Sequence, residues 1–422
     1  MARSSHPPPP EVVELAIDEL GSQGDGVASW RGETVFVPFT LPGDRVRARL
    51  GSPRQGGREA RVMEWLARGP GRAEPVCRHF ARCGGCTLQH LDAETYRAAK
   101  LAGLLAALRR VGIDTAVVGP LRTVPPGRRR AGLGLRRPKD ARAPAVVGFR
   151  ERSSHAVVDM RECPVLEPAL WALVAPLRDL ATVVLPPGGA AEVNLTRTDS
   201  GIDMLVEAYE PPNLAALEGL AAFAAEHDLA RIVWRVRGTD TPVVQRRPVR
   251  MVFSGTAVPS PPGGFIQANA EAEATLIAEV VAAVGDARPA LDLYAGLGTF
   301  TFALTIAGPV HAVEGDAAAV VALTAAGASA ERRNLDRDPL PPEALAPYAA
   351  AVFDPPRAGA LRQAAALAAS TIPTIAAVSC NPATFARDAV CLIAGGYRLD
   401  RVTPVDQFAW TPHLEVVGVF RR

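Results

Sequence analysis

Residues 290–301 read Ala290-Leu-Asp-Leu-Tyr-Ala-Gly-Leu-Gly-Thr-Phe-Thr301. This is an apolar strand that runs into a glycine-rich turn and opens a helix, and Gly296 and Gly298 let the backbone come close to a ligand. Twenty-two residues after Asp292, the strand VHAVEGD reaches Glu314, placed to accept hydrogen bonds from ribose hydroxyls. Both features suit a nucleotide cofactor. A dinucleotide fingerprint requires a third glycine where Thr301 stands, which turns the expectation from NAD to S-adenosylmethionine. From about Phe265 onward the order is helix, strand, glycine turn, helix, strand, helix, strand, the alternation of an α/β domain with a largely parallel sheet.

Two further turns fall at strand ends of this domain. Asp354-Pro-Pro-Arg-Ala-Gly follows the apolar run YAAAVF, and consecutive prolines hold the carboxylate rigidly, where parallel sheets bind ligands. Ser379-Cys380-Asn-Pro382 follows TIAAVS and presents a thiol to the same edge. Cys391, in the helical stretch DAVCLIAGG, reads as ordinary core. The segment Asp406-Gln-Phe-Ala-Trp-Thr-Pro-His-Leu-Glu415 supplies candidate acids and bases ahead of a final strand, EVVGVF. His413 would serve a Cys/His hydrolase, but such an enzyme has no use for the nucleotide turn. A chemistry that uses every part is alkylation of uracil at C5. A thiolate adds at C6, the resulting enolate attacks a sulfonium methyl, and a base removes the C5 proton so that the thiol leaves.

The front of the chain is of another kind. Residues 1–165 carry 27 Lys+Arg against 17 Asp+Glu, and the remainder 19 against 27, which predicts a polyanion-binding part joined to a small-molecule part. Residues 1–10 end in four prolines and read as a disordered lead. Short alternating runs from Glu11 to about Leu66 read as a small antiparallel barrel, with Arg45, Arg47 and Arg49 as a basic edge. Between 120 and 255 the runs VVGFR, HAVVDM, AEVNLTRT, DMLVEAY and IVWRVR read as strands, and PALWALVAPLRDLATVV as one helix. Cys77, Cys83, Cys86 and, 77 residues after Cys86, Cys163 form a three-plus-one set of thiols. Four thiolates suit zinc or a [4Fe–4S] cluster, and the missing second C-x2-C pair leans towards the cluster. No run of 18 apolar residues occurs and the N-terminus lacks the apolar stretch of a signal peptide, so no membrane span and a cytoplasmic address are expected.

In order along the chain, Phe265-Ile-Gln267-Ala-Asn269, LDLYAGLGTFT, Glu314, DPPRAGA, SCNPATFARD and D-x-F-x-x-T-x-H-x-E resemble the RNA uracil-5 methyltransferase family, specifically its iron–sulfur branch acting on ribosomal RNA. The resemblance covers nearly the whole chain. It implies an α/β fold class with an OB-like TRAM β-barrel at 11–68, a central α+β domain carrying the iron–sulfur site at 75–260, and a class I, Rossmann-like methyltransferase domain at 265–422. It implies Cys380 as the nucleophile and Glu415 as the proton acceptor. Gln267, Tyr294, Gly296, Glu314, Asn334 and Asp354 would hold S-adenosylmethionine, and Phe265, Gln267 and Asp354 would meet the extruded uracil. Cys77, Cys83, Cys86 and Cys163 would ligate a [4Fe–4S] cluster. The substrate implied is 23S rRNA, with transfer RNA or a catalytically inactive RNA-binding iron–sulfur protein as the alternatives, and a monomer is expected. Tyr294 departs from the family's usual Phe, Ala409 from its usual Pro, and the segment between Glu314 and Asp354 is short.

Overall fold

The computed structural model describes residues 11–54, 56–140 and 142–422; the lead at 1–10 lies outside them. The chain divides into two compact units. One takes in residues up to Ala81, Cys86–Gly103 and Trp410–Pro412, and the other Arg82–Gly85, Leu104–Ala409 and His413–Arg422.

In the first unit six strands between Val12 and Ala67 form one sheet. Val46, Ala48 and Leu50 point inward with Val35 and Val37, and Arg45, Arg47 and Arg49 alternate with them on the exposed side. Bulges between Arg45/Val46, Arg47/Ala48 and Leu50/Pro53 bend the long hairpin. The sheet is not wholly antiparallel, because Glu33–Val37 pairs parallel with Gly57–Ala67. The expected basic edge is partly neutralised, since Arg47 reaches Glu64 at 2.6 Å and Glu14 at 3.1 Å.

The second unit holds two large sheets. In the central one the strands run Thr239–Gln245, Arg231–Val236, Gly201–Ala208, Ala190–Thr198, Arg130–Arg136, Val146–Gly148, and Leu177, Ala181, Leu220 and Phe223 of two helices share a core with Leu133, Val193 and Met204. The stretch expected as one helix from Pro168 is two, Pro168–Trp171 and Val174–Val184. Pro176 is the cause: it has no N–H for a continuous helix and its ring would strike the carbonyl four residues back. HAVVDM is not a strand; Val157 makes only an isolated bridge to Arg150.

The other sheet has eight strands, in the order Ser329–Arg332, Val310–Glu314, Ala290–Leu293, Ala350–Phe353, Thr374–Ser379, Glu415–Arg421, Arg398–Asp406, Arg122–Thr123. The first five are parallel, and Glu415–Arg421 lies antiparallel to both its neighbours. Three adjacent parallel strands are buried along their whole length, Ala290–Leu293, Ala350–Phe353 and Thr374–Ser379 alike. Helices cover both faces, which is why these strands read as continuous apolar runs. The direction of winding reverses between Ala290–Leu293 and Ala350–Phe353, and a crevice opens there at the carboxyl ends of the strands.

Candidate active site

Most of the functional side chains stand at these strand ends, and Phe265 and Gln267 stand in the segment that leads from Pro259 to the helix Ala270–Val284. After Leu293 the backbone turns through Tyr294 at φ 61°, Gly296 at 55° and Gly298 at 91°. A Cβ on Gly298 would lie 2.5 Å from the Phe302 ring, so only glycine fits; at Gly296 nothing lies within 4 Å, which leaves the backbone open to a ligand. Thr301, which breaks the dinucleotide pattern, donates its hydroxyl to buried Asp292 at 2.5 Å. Burial pushes the Asp292 carboxyl up to about 7, with the charges of Asp354 and Glu314 adding to the effect. Glu314 accepts from the N–H of Gly296 at 2.9 Å and of Asp316 at 2.7 Å, so its carboxylate ties the two strand ends together. The Asn334 side-chain oxygen accepts from the N–H groups of Asp336 and Arg337, and the Tyr294 hydroxyl donates to Asp336 at 3.1 Å.

Cys380 lies between the strand Thr374–Ser379 and the helix Pro382–Ala394, whose first turn is capped by Asn381. The Asn381 amide donates to the carbonyl of Arg357, which fastens this turn to the rigid Asp354-Pro-Pro turn. Burial pushes the Cys380 thiol up to about 11; the carboxylates of Glu415 and Asp354 add to that, and Arg357 opposes it. Burial likewise raises Glu415 and Asp354, and the charge of Asp354 further raises Glu415. Gln267 donates to Asp354 at 3.0 Å. The Gln267 carbonyl is itself held by buried Arg129 at 3.0 Å, and Arg129 pairs with Glu273 at 2.5 Å.

Phe265, Gln267, Tyr294, Gly296, Glu314, Asn334, Asp354, Cys380 and Glu415 all line one cleft of about 810 Å³, within the size range of small-molecule sites. The same cleft is lined by Asp240, Asp316 and Asp336, so six carboxyl groups face Arg235, Arg333 and Arg357. That excess of acids suits a cationic sulfonium ligand and disfavours an anionic dinucleotide. Phe265 is 59% exposed at the rim, with the Arg130 guanidinium 5.4 Å from its ring centre.

Gln407, Arg129 and Asp292 were not singled out by the sequence. Gln407 stands inside the C-terminal motif and Arg129 inside a run of three arginines, and neither pattern marks a buried partner.

The four thiols expected as a metal site are Cys77, Cys83, Cys86 and Cys163. Among the described residues no three His, Cys, Asp or Glu side chains are gathered to hold a metal ion. Cys163 packs against the apolar core of the central sheet, and burial pushes its thiol up.

The profile of the tRNA (Uracil-5-)-methyltransferase family matches residues 326–422, and that of the TRAM domain residues 10–51. The chain is 40% identical over 417 residues to an RNA methyltransferase of Brucella suis, covering 97% of this chain and 98% of the relative. It is 38% identical over 432 residues to the 23S rRNA (uracil(1939)-C(5))-methyltransferase RlmD of Chromohalobacter salexigens, covering 97% and 89%. The fold is that of the Pyrococcus abyssi tRNA (uracil-54, C5)-methyltransferase solved with S-adenosyl-L-homocysteine, with a TM-score of 0.71 at 24% identity over 97% of this chain and 100% of the other. With relatives of this identity along nearly its whole length, the chain belongs to the S-adenosylmethionine-dependent RNA (uracil-5-)-methyltransferase family.

Proposed function

We propose that the protein methylates C5 of a uridine in 23S rRNA through a transient bond between Cys380 Sγ and C6 of the base, working as a monomer in the cytoplasm. The observation that carries this reading is the meeting of a thiol, a buried carboxyl and a glutamine–aspartate pair in one acidic cleft. The resemblance to the ribosomal RlmD enzyme supports the choice of RNA.

In this reading Gln267, Tyr294, Gly296, Glu314, Asn334 and Asp354 hold the cofactor, which when bound supplies an electrophilic methyl group. Phe265 stacks on the extruded uridine at the rim, where bases pair readily with aromatic faces. Gln267 and Asp354 fix the edge of the ring. Cys380 releases its proton to water and its thiolate adds to C6, which places the electron pair on C5 as an enolate. After C5 has taken the methyl group, Glu415 removes the C5 proton, the C5–C6 double bond reforms and the Cys380 thiolate leaves. Methyl transfer by Cys380→Ala is expected to fall below detection in an assay with labelled adenosylmethionine and RNA, with cofactor binding by calorimetry retained. Wild-type turnover by this variant removes the mechanism. Loss of 5-methyluridine from 23S rRNA in a deletion strain, with transfer RNA unchanged, assigns the substrate.

A [4Fe–4S] centre on Cys77, Cys83, Cys86 and Cys163 is supported by their spacing and by the family resemblance, and no step above passes through it. Protein purified without oxygen is expected to carry about four irons and four acid-labile sulfides per chain, with the broad visible absorption of a cluster. Zinc, or no metal, removes this part of the proposal and leaves the methylation chemistry in place.

A further inference from the structure

We propose that Gln407 is a positioning residue for Glu415: it holds the carboxylate by Oε1 and so reserves Oε2 as the atom that takes the C5 proton. This rests on the methylation reading above.

Gln407 follows the strand Arg398–Asp406 directly, and Glu415 opens the neighbouring strand. Both side chains are nearly closed off from solvent, Gln407 at 7% and Glu415 at 4% exposure. The Gln407 Nε2 donates to Glu415 Oε1 at 2.8 Å and to Gln267 Oε1 at 2.9 Å. Gln267 in turn donates to Asp354 Oδ2 at 3.0 Å. The four residues form one continuous chain, Asp354–Gln267–Gln407–Glu415.

The orientation of the Gln407 amide follows from its neighbours. Nε2 lies between a carboxylate oxygen and an amide oxygen, and the flipped amide would bring three acceptors together with no hydrogen among them. Both N–H bonds of Gln407 are therefore committed. Glu415 Oε2 is buried and, among the described residues, has no hydrogen-bond partner. Leaving a buried carboxylate oxygen unsatisfied is unfavourable, and at the wall of a substrate cleft it is what a general base requires: a lone pair kept open towards the proton it will take. Protonation at Oε2 leaves Oε1 as a carbonyl that still accepts from Gln407, so the proton transfer needs no rearrangement of the clamp.

The clamp also opposes the forces on Glu415. Burial and the Asp354 charge raise its affinity for protons, and the Gln407 hydrogen bond lowers it. Cys380, from the neighbouring turn, is a further ionisable group in electrostatic contact with Glu415, and Arg357 acts on that thiol. Removing the amide therefore moves ionisation of the base to higher pH.

The test uses full-length Gln407→Met, which keeps length and loses the donors, and Gln407→Asn, which is too short to span both acceptors. Each is checked for an unchanged melting temperature and for cofactor binding by calorimetry. The expected result is a fall in kcat of about tenfold or more, in line with loss of a charge-assisted hydrogen bond. KM for RNA is expected to stay unchanged, the rising limb of the pH–rate profile to move alkaline, and methylated RNA to accumulate covalently on the protein. A folded variant of either kind with the wild-type pH midpoint and no adduct overturns the proposal, as does a loss of kcat that leaves the midpoint in place. Glu415→Gln, run in parallel, separates the two readings. If it traps an adduct while the Gln407 variants behave as wild type, only the role of Gln407 fails; if it turns over normally, the methylation reading itself fails.

Discussion

Glu415→Gln protein given adenosylmethionine and a uridine-containing RNA is expected to stop with the methylated RNA bonded to Cys380. The amide has nearly the shape of the carboxylate, so the cleft keeps its form, but it has no basic lone pair with which to take the C5 proton. Without that proton's departure the electrons that expel the Cys380 thiolate are not released, and the adduct persists after methyl transfer. General bases contribute about 10²–10⁴ in rate, so release of product should slow by that order while adduct formation continues. A denaturing gel in which labelled methyl runs with both RNA and protein is the measurement. Free 5-methyluridine RNA at the wild-type rate would remove Glu415 from the mechanism. Stability should not decline, because burial and the Asp354 charge both work against an ionised group at this position, and a neutral amide is relieved of both effects.

The same electrostatics bear on how Cys380 becomes reactive. A thiol pushed up to about 11 by burial and by two carboxylates is protonated at neutral pH, and an unreactive thiol is protected from oxidation and stray alkylation. A cation bound in the acidic cleft offsets the carboxylates and favours the thiolate. In the proposed reaction the excess of acids would favour the cofactor's charge and tie activation of the Cys380 thiol to its arrival.

The chain's own residues made much of this legible and hid the rest for identifiable reasons. The buried strands at 290–293, 350–353 and 374–379 are continuous apolar runs because both faces of the sheet are covered, and the chemistry-bearing residues follow them at the strand ends. Arg122–Thr123, which extends the same sheet at its edge, is two residues long and shows no period. Thr301 stands where a dinucleotide fingerprint has glycine, and its hydroxyl instead fastens the turn to Asp292, a contact the local pattern does not encode. Gln407 bonds Gln267 across 140 positions, a separation that no local pattern encodes. The cysteine spacing was equally visible, but spacing gives no burial, and Cys163 turns towards an apolar core.

Arg129 is the sharpest case, and its replacement carries the largest expected loss of stability. Arg129 stands between Arg128 and Arg130, and nothing local in three adjacent cations marks the middle one as buried. Arg130 does lie by the exposed Phe265 ring, but Arg129 is 7% exposed and turned inward. Its guanidinium pairs with Glu273 and holds the Gln267 carbonyl, and its backbone N–H donates to Ala268. Burial raises the Glu273 carboxyl, and Arg129 is the main influence holding it down. Arg129→Met would leave that carboxylate buried without its cation, at a cost of about 3–5 kcal/mol. Calorimetry should show a clearly lower unfolding temperature at neutral pH. The sign of the pH effect follows: in the variant Glu273 binds its proton more tightly folded than unfolded, so the deficit shrinks as pH falls towards the carboxyl's ordinary 4.5 and grows as pH rises. Adding Glu273→Leu to Arg129→Met removes the stranded charge and should restore most of the stability. It does not restore the bond to Gln267, whose side chain holds Asp354 in the cleft, so the double variant should melt near wild type and still turn over slowly. A single variant that melts at the wild-type temperature would return Arg129 to the surface run that its neighbours suggest.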